Sequence, residues 1–224
     1  MRQLPTGYPF GRLILTASAL LAFAAVATGC TGAKGEGQTV AESRTVATFQ
    51  RVDTAFGIDV IVKTGPAQPI EVRAQSNILP LVTTVVESGT LHIGANQELN
   101  ALVAVTVVIS APDVDAISLS GGADGTVTGF AGDHLDVAMS GGGDLTVAGT
   151  AATVSVEASG GSEAHLSDLA IGTLEVELSG GSTVLARVSD EVRGSASGGA
   201  HVTVIGDARL NVQTSGGAEV GRGL

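Results

Sequence analysis

Aromatic residues are nearly missing from this chain of 224 residues, which has no Trp, one Tyr and five Phe. Tyr8, Phe10 and Phe23 precede residue 30, so only Phe49, Phe56 and Phe130 remain for a folded domain. Large globular cores lean on aromatic side chains. A core of Val, Leu, Ile and Ala suits a narrow interior instead. The shortage also argues against a sugar-cleaving cleft, which needs aromatic platforms. Cysteine occurs once, at Cys30, so no intramolecular disulfide can form. Histidine occurs four times, as His92, His134, His165 and His201. They make no HxH or HExxH pattern, and their spacing does not suggest zinc ligands. No GKS/T motif follows any glycine run, and no amphipathic helix is evident, so a phosphate-cradling loop at a helix N-terminus is excluded. No cofactor is indicated.

Residues 1–29 read as an export signal. Arg2 and Arg12 form a positive start, and Leu13 to Val26 is uncharged and mostly apolar. That stretch is short for a membrane span, which takes about 20 apolar residues. It ends in Val26-Ala27-Thr28-Gly29-Cys30. Small residues before a lone Cys resemble a bacterial lipobox, and the resemblance implies that Cys30 becomes a lipidated N-terminus. The lipid bilayer is then the first partner expected, on the extracytoplasmic side. Residues 30–45 read as the lipidated Cys and a flexible, Gly-rich tether, and 46–224 as the folded domain. Removing residues 1–29 takes away two Arg and no acid, leaving 9 basic against 22 acidic residues, or −13. That balance disfavours nucleic acid as a partner.

Glycine, at 32 residues, is abundant, and its arrangement sets the architecture. Six triplets recur: Ser120-Gly121-Gly122, Ser140-Gly141-Gly142, Ser159-Gly160-Gly161, Ser179-Gly180-Gly181, Ser197-Gly198-Gly199 and Ser215-Gly216-Gly217. Their steps are 20, 19, 20, 18 and 18 residues. A fixed period of this length marks a stacked repeat. Residues before each Ser alternate. Leu174, Val176 and Leu178 interleave with Glu175 and Glu177, and Leu135, Val137 and Met139 with Asp136 and Ala138. Period two means strands with one buried face. A second short strand follows each Gly pair, as in Leu145 and Val147, and a less regular segment such as Leu169–Gly172 closes the unit. Identical corners every 18–20 residues fit the coils of a parallel β-helix, each strand pairing with its counterpart one repeat away at about 4.8 Å. Gly194 falls where Val176 falls one coil earlier, which predicts a pinched core there.

The first half, 46–119, has the same grammar without the Gly pairs. Phe56-Gly57-Ile58-Asp59-Val60-Ile61-Val62, Ile70-Glu71-Val72-Arg73-Ala74 and Val86-Glu87-Ser88-Gly89-Thr90-Leu91-His92-Ile93 are strands and turns. Either this half continues the coil or it forms an abutting β-layer. These segments, followed in order by the Leu/Ala-Ser-Gly-Gly units, resemble the putative auto-transporter adhesin, head GIN domain family over about 46–220. The resemblance implies an all-β, right-handed, single-stranded parallel β-helix on exported proteins, many of them lipoproteins. It implies no catalytic residue. Family members often end in an aromatic-containing turn, where this chain carries Gly221-Arg222-Gly223-Leu224.

Two constellations bear on function. Asp124, Asp144 and Glu163, then Thr183, His201 and Glu219, sit two residues past each Gly pair. Stacked carboxylates about 4.8 Å apart would repel by roughly 1 kcal/mol in a water-like dielectric. That repulsion could recruit a weakly held cation such as Ca²⁺; the alternative is a solvated acidic edge that discourages edge pairing. Glu157 and Glu177 lie one coil apart, as do the outward positions Asp136, Ser155 and Glu175, and paired carboxylates suit acid–base cleavage of a glycan. Arg193, one coil beyond Glu175, is placed to pair with it. The leading expectation is a lipid-anchored, non-catalytic envelope β-helix that holds a protein or glycan surface partner. The alternatives are a glycan-active β-helix enzyme and a structural envelope protein with no specific ligand. Cys30→Ala is expected to abolish membrane retention, with labelled fatty acid entering the wild type and not the variant. Unlipidated wild-type protein with a mature N-terminus elsewhere would refute the anchor.

Overall fold

The computed structural model describes residues 32–100 and 103–223; Cys30 and the export signal lie outside the described residues. The described chain is β-strand throughout, apart from turns and one 3₁₀ turn at Leu79–Leu81. From Ala116 onward it winds as a parallel β-helix. Strand β8 is Ala116–Ser120, and the long strands β9 (Gly125–Gly141), β10 (Asp144–Gly160), β11 (Glu163–Leu178) and β12 (Thr183–Ala196) follow. The last coils are β13 (His201–Ile205), β14 (Arg209–Thr214) and β15 (Glu219–Arg222). Each long strand contributes to two faces. Its first residues follow one Ser-Gly-Gly corner, and its last residues lead into the next.

The registers stack like on like. Ala116–Ser120 pair with Asp136–Ser140, Thr153–Gly160 with His134–Gly141, and Thr153–Ala158 with Thr173–Leu178. Coil lengths of 18 to 20 residues are reconciled at the third corner. The register shifts fall there, between Ala148 and Gly149 and between Leu166 and Ala170, so the other two faces stay in step.

The first half continues the same helix, but out of sequence order. Strands β2 (Arg51–Thr54) and β3 (Asp59–Thr64) form one coil, and β6 (Thr90–Ala95) and β7 (Thr106–Ala111) form another. The earlier coil is the inner one. Strand β2 pairs in parallel with both β6 and β8, and β3 with both β7 and β9. The β6–β7 coil therefore lies outside it, and antiparallel strands close that end. Strand β5 (Val82–Glu87) folds back on β6 through a turn in which Ser88 and Gly89 take φ of 51° and 79°. Two positive-φ residues give the two-residue hairpin that matches strand twist. On the other face, β4 (Ile70–Gln75) runs antiparallel to β7, and β1 (Thr39–Arg44) antiparallel to β4. Antiparallel returns cover an edge that a stack of parallel coils would leave bare.

Strand β1 corrects the expected tether. Residues 39–44 pair along all of β4, and the Asn77 side chain accepts from Glu36 N–H at 2.8 Å and donates to the Lys34 carbonyl at 2.7 Å. The Arg44 guanidinium donates to the carbonyls of Val82, at 2.8 Å, and Leu79, at 3.1 Å. Main-chain pairing and one Arg hold this segment, while its side chains stay mostly exposed. Burial patterning in the sequence therefore carries no sign of it.

The core is a narrow filling of Val, Leu, Ile and Ala. Val137, Val156 and Val176 stack inward and are buried, as are Leu135, Val154, Leu174 and Val192 in the neighbouring column. Gly125 makes room for its neighbours, since a Cβ there would lie 2.8 Å from Leu145 Cδ1 and 3.0 Å from Leu119 Cδ1. Gly194 does not mark a pinched core. It takes φ 128°, is exposed, and a Cβ there would point at the Val176 carbonyl oxygen, 2.0 Å away. Val192 and Ala196, both buried, flank it on either side.

The two glycines of each corner do different work. The first takes positive φ, from 68° at Gly216 to 100° at Gly141, and stacks directly on the first glycine one coil below. A Cβ on Gly160 would lie 2.5 Å from the Gly141 carbonyl oxygen, and one on Gly180 2.7 Å from that of Gly160. From Gly161 onward the second glycine donates its N–H to that same carbonyl. Gly161 bonds Gly141 at 2.8 Å, Gly181 bonds Gly160 at 2.7 Å and Gly199 bonds Gly180 at 2.7 Å. A Cβ on Gly161 would meet nothing within 4 Å. The six serines fall in one column beside them. Ser120, Ser140 and Ser159 share a register, and the amides of Ser179, Ser197 and Ser215 bond the carbonyls of Ala158, Leu178 and Ala196 one coil below.

Two expectations follow. Gly160→Ala should destabilise by more than 2 kcal/mol, because a left-handed backbone alone costs a non-glycine residue roughly 1–2 kcal/mol and the carbonyl contact adds to it. Gly161→Ala should stay within about 0.5 kcal/mol of wild type; equal losses in chemical denaturation would refute the asymmetry. Val176→Asp should cost several kcal/mol by placing an unpaired carboxylate in the interior. Glu175→Ala and Glu177→Ala should melt close to wild type by circular dichroism, and the reverse order would mean that inner and outer faces have been exchanged.

Candidate functional site

The Ser-Gly-Gly edge is flanked by carboxylates on both faces. On the face that follows it, Asp144 aligns with Glu163, Glu163 with Thr183, Thr183 with His201, and His201 with Glu219. The ladder begins lower than the repeat suggests. Asp59 precedes Val60, which pairs with Gly125, so Asp59 lies under Asp124. The carboxylates serve the backbone: Asp59 Oδ1 accepts from Asp124 N–H at 3.1 Å, and Asp124 Oδ1 from Asp144 N–H at 2.9 Å. Each side chain thus caps the start of the strand above it. Burial raises the Asp59 carboxyl above its ordinary value, the Asp124 amide opposes this, and the Asp124 charge adds to it. Only the register reveals Asp59 as a ladder member, because no Gly pair precedes it.

Among the described residues no three His, Cys, Asp or Glu side chains gather closely enough to hold a metal ion. One oxygen of each of Asp59 and Asp124, the Oδ1, is engaged by an amide hydrogen. The histidines are set apart from one another, each beside a carboxylate. His92 Nδ1 lies 2.9 Å from Asp53, His134 Nε2 2.7 Å from Asp136, His165 Nε2 3.5 Å from Glu163 and His201 Nδ1 3.7 Å from Glu219. These pairs are exposed and become ionic only when the imidazole is protonated, so each is worth little to stability.

On the face that leads into the corners lies a shallow groove of about 350 Å³, lined by Ser118, Ser140, Ser159 and Ser179 with Glu157 and Glu177. Glu157 and Glu177 occupy the same register on successive coils, and both are exposed. Small side chains at Ser118 and Ala138 continue their row downward, and the hollow sits where the row loses bulk. Beside it, Arg193 pairs with Glu175 across one coil, and Asp136, Ser155 and Glu175 share one outward row. The groove offers hydroxyls and carboxylates at coil spacing, and it is open to solvent.

No curated protein matches the chain in sequence. Among solved structures, a putative adhesin from Bacteroides fragilis aligns with TM-score 0.65 at 16% identity, over 85% of this chain and 100% of that one. A putative adhesin from Parabacteroides merdae aligns with TM-score 0.52 at 15% identity, over 86% and 99%. A putative lipid binding protein from Parabacteroides distasonis aligns with TM-score 0.51 at 12% identity, over 86% and 99%. At these identities the likeness is one of fold. Residues 48–208 match the family described as putative auto-transporter adhesin, head GIN domain. That span holds the inner coil, most of the antiparallel cap and the repeat corners from Ser120 to Ser197, and with it the chain belongs to the head GIN domain family of putative auto-transporter adhesins.

Proposed function

We propose that this protein works by holding a surface and not by transforming a substrate. It is a non-catalytic adhesion module of the cell envelope, anchored in the bilayer through a lipid on Cys30, and its partner is a protein or glycan surface. The observation that carries this reading is the open face with the Ser140, Ser159, Ser179, Glu157 and Glu177 groove. Rows of small hydroxyls and carboxylates at about 4.8 Å spacing offer many weak, regularly placed contacts, which suit an extended partner. Membership of an adhesin family supports the same reading.

Glycan cleavage is the second reading, because Glu157 and Glu177 stand on neighbouring coils. Acid–base catalysis needs two carboxyls whose environments differ. Here both are exposed and belong to the same row.

The test uses beads coated with the purified full chain. Retention on mucin-coated glass should exceed retention on albumin-coated glass at least tenfold, and Glu157→Gln combined with Glu177→Gln should weaken it. Equal retention on both coatings would refute adhesion to glycoprotein. Release of reducing sugar from a polysaccharide panel by wild type, lost in Glu177→Gln, would establish the enzyme reading in its place.

A further inference from the structure

We propose that a hollow beside Phe56, at the lowest Gly-type corner of the helix, is a carbohydrate-binding subsite with the Phe56 ring as its platform. The inference deepens the adhesion reading, on which it rests, by naming a ligand class and a second place on the molecule.

The first observation is conformational. Phe56 takes φ 64°, a left-handed backbone that is a genuine outlier for a bulky residue. It stands in the column that the first glycines fill above it: a Cβ on Gly121 would lie 3.2 Å from Phe56 N. The fold asks for glycine at this point and the chain supplies Phe. Strain of this kind persists where the surroundings overdetermine it, and it clusters at ligand sites.

A second observation concerns the ring. Phe56 is 49% exposed, whereas Phe130 is buried and Phe49 half-buried, so it is the exposed aromatic among the described residues. The ring lies over Gly94, whose missing Cβ would sit 3.8 Å from Cδ2 and Cε2. It also lines a hollow of about 650 Å³ with Glu98, Leu99, Gly121 and Gly122. Sites for small ligands occupy roughly 300–1,000 Å³.

The third observation is the main chain opposite the ring. In the corners above, the second glycine donates to the first glycine of the coil below, beginning with Gly161 to Gly141. Among the described residues no such bond joins Gly142 to Gly121, or Gly122 to the Phe56–Gly57 corner. Gly122 also takes φ 80°, unlike the second glycines of the later corners. Gly121 and Gly122 line the hollow with main chain that the corner ladder above does not engage. A pyranose matches this set. Its apolar C–H face covers an aromatic ring, and its hydroxyls both donate and accept, to the Glu98 carboxylate and to the Gly121–Gly122 main chain. A purely apolar ligand would make no use of those polar groups.

Saturation-transfer NMR on the purified full chain, with cellobiose, chitobiose, maltose and lactose as probes, tests the site. At least one disaccharide should receive saturation from the wild type. Phe56→Gly suits the left-handed backbone, so it should melt at or above the wild-type temperature while weakening that disaccharide at least tenfold. Phe56→Tyr should retain binding. Phe56→Gly binding as tightly as wild type, or none of the four sugars being held, overturns the proposal; so does an octyl-chain probe taking the hollow in their place. Bead retention separates this from the adhesion reading. Mucin adhesion that survives in Phe56→Gly and resists sugar competition refutes the subsite alone. Sugar binding at Phe56 without any bead retention refutes adhesion alone.

Discussion

The whole stack depends on one close approach, in which each first glycine from Gly141 upward lies on the first glycine of the coil below. At 2.5–3.0 Å from the next carbonyl oxygen, from Gly160 to Gly216, a Cβ has no place. From Gly161 onward the same carbonyl accepts the second glycine's N–H, so the contact that forbids a side chain also supplies a hydrogen bond in each of those coils. Because the glycines fix the height between coils, the other two corners can vary. Differences of one or two residues in coil length are absorbed as bulges near residues 129, 149 and 167–169, away from the column.

The interior follows from that spacing. Coils held this tightly enclose only a thin core, and Val, Leu, Ile and Ala fill it without aromatics apart from Phe130. The buried hydroxyls are satisfied locally. Thr54, which aligns with Leu119, donates its hydroxyl to the Ile58 carbonyl at 2.8 Å, and Ser182 donates to the Ser179 carbonyl at 3.0 Å. Outside, carboxylates that repel along the ladder are partly compensated by the amides they accept. Asp59, the most enclosed of them, keeps a raised carboxyl as the residual cost.

Periodicity made much of this legible in the sequence. The strict alternation around Val137, Val156 and Val176 gave the inner face, and the recurrence of Ser-Gly-Gly gave the column and the parallel order of the coils. What stayed hidden depends on long-range pairing. No local signal distinguishes β2 and β3 as an inner coil, because the evidence for their place lies in strands 40–70 residues downstream. Strand β1 is exposed on most of its side chains and reads as linker. Phe56-Gly57 was legible as part of a strand-and-turn motif, but its equivalence to a Gly-Gly corner was not, since a bulky residue with positive φ breaks the rule that identifies the others. Gly194 was misplaced for the opposite reason: the alternation assigned it inward, whereas its φ of 128° aims a would-be Cβ at the Val176 carbonyl of the next strand.

The inverted order of the first two coils governs how the molecule can be made. A solenoid built in sequence order can add each coil to a finished surface as the chain emerges. Here the β2–β3 coil emerges first and has both edges vacant, since its neighbours are β6 and β7 on one side and β8 and β9 on the other. Residues up to at least Ala111 must be present before one of those edges is filled, and the second must wait for Gly125 and beyond. Long-range pairing of this kind is slow, and strands with open edges are prone to stray association while they wait. An exported chain with this topology therefore has a window, set by about sixty residues of synthesis or translocation, in which this inner coil is its least protected part.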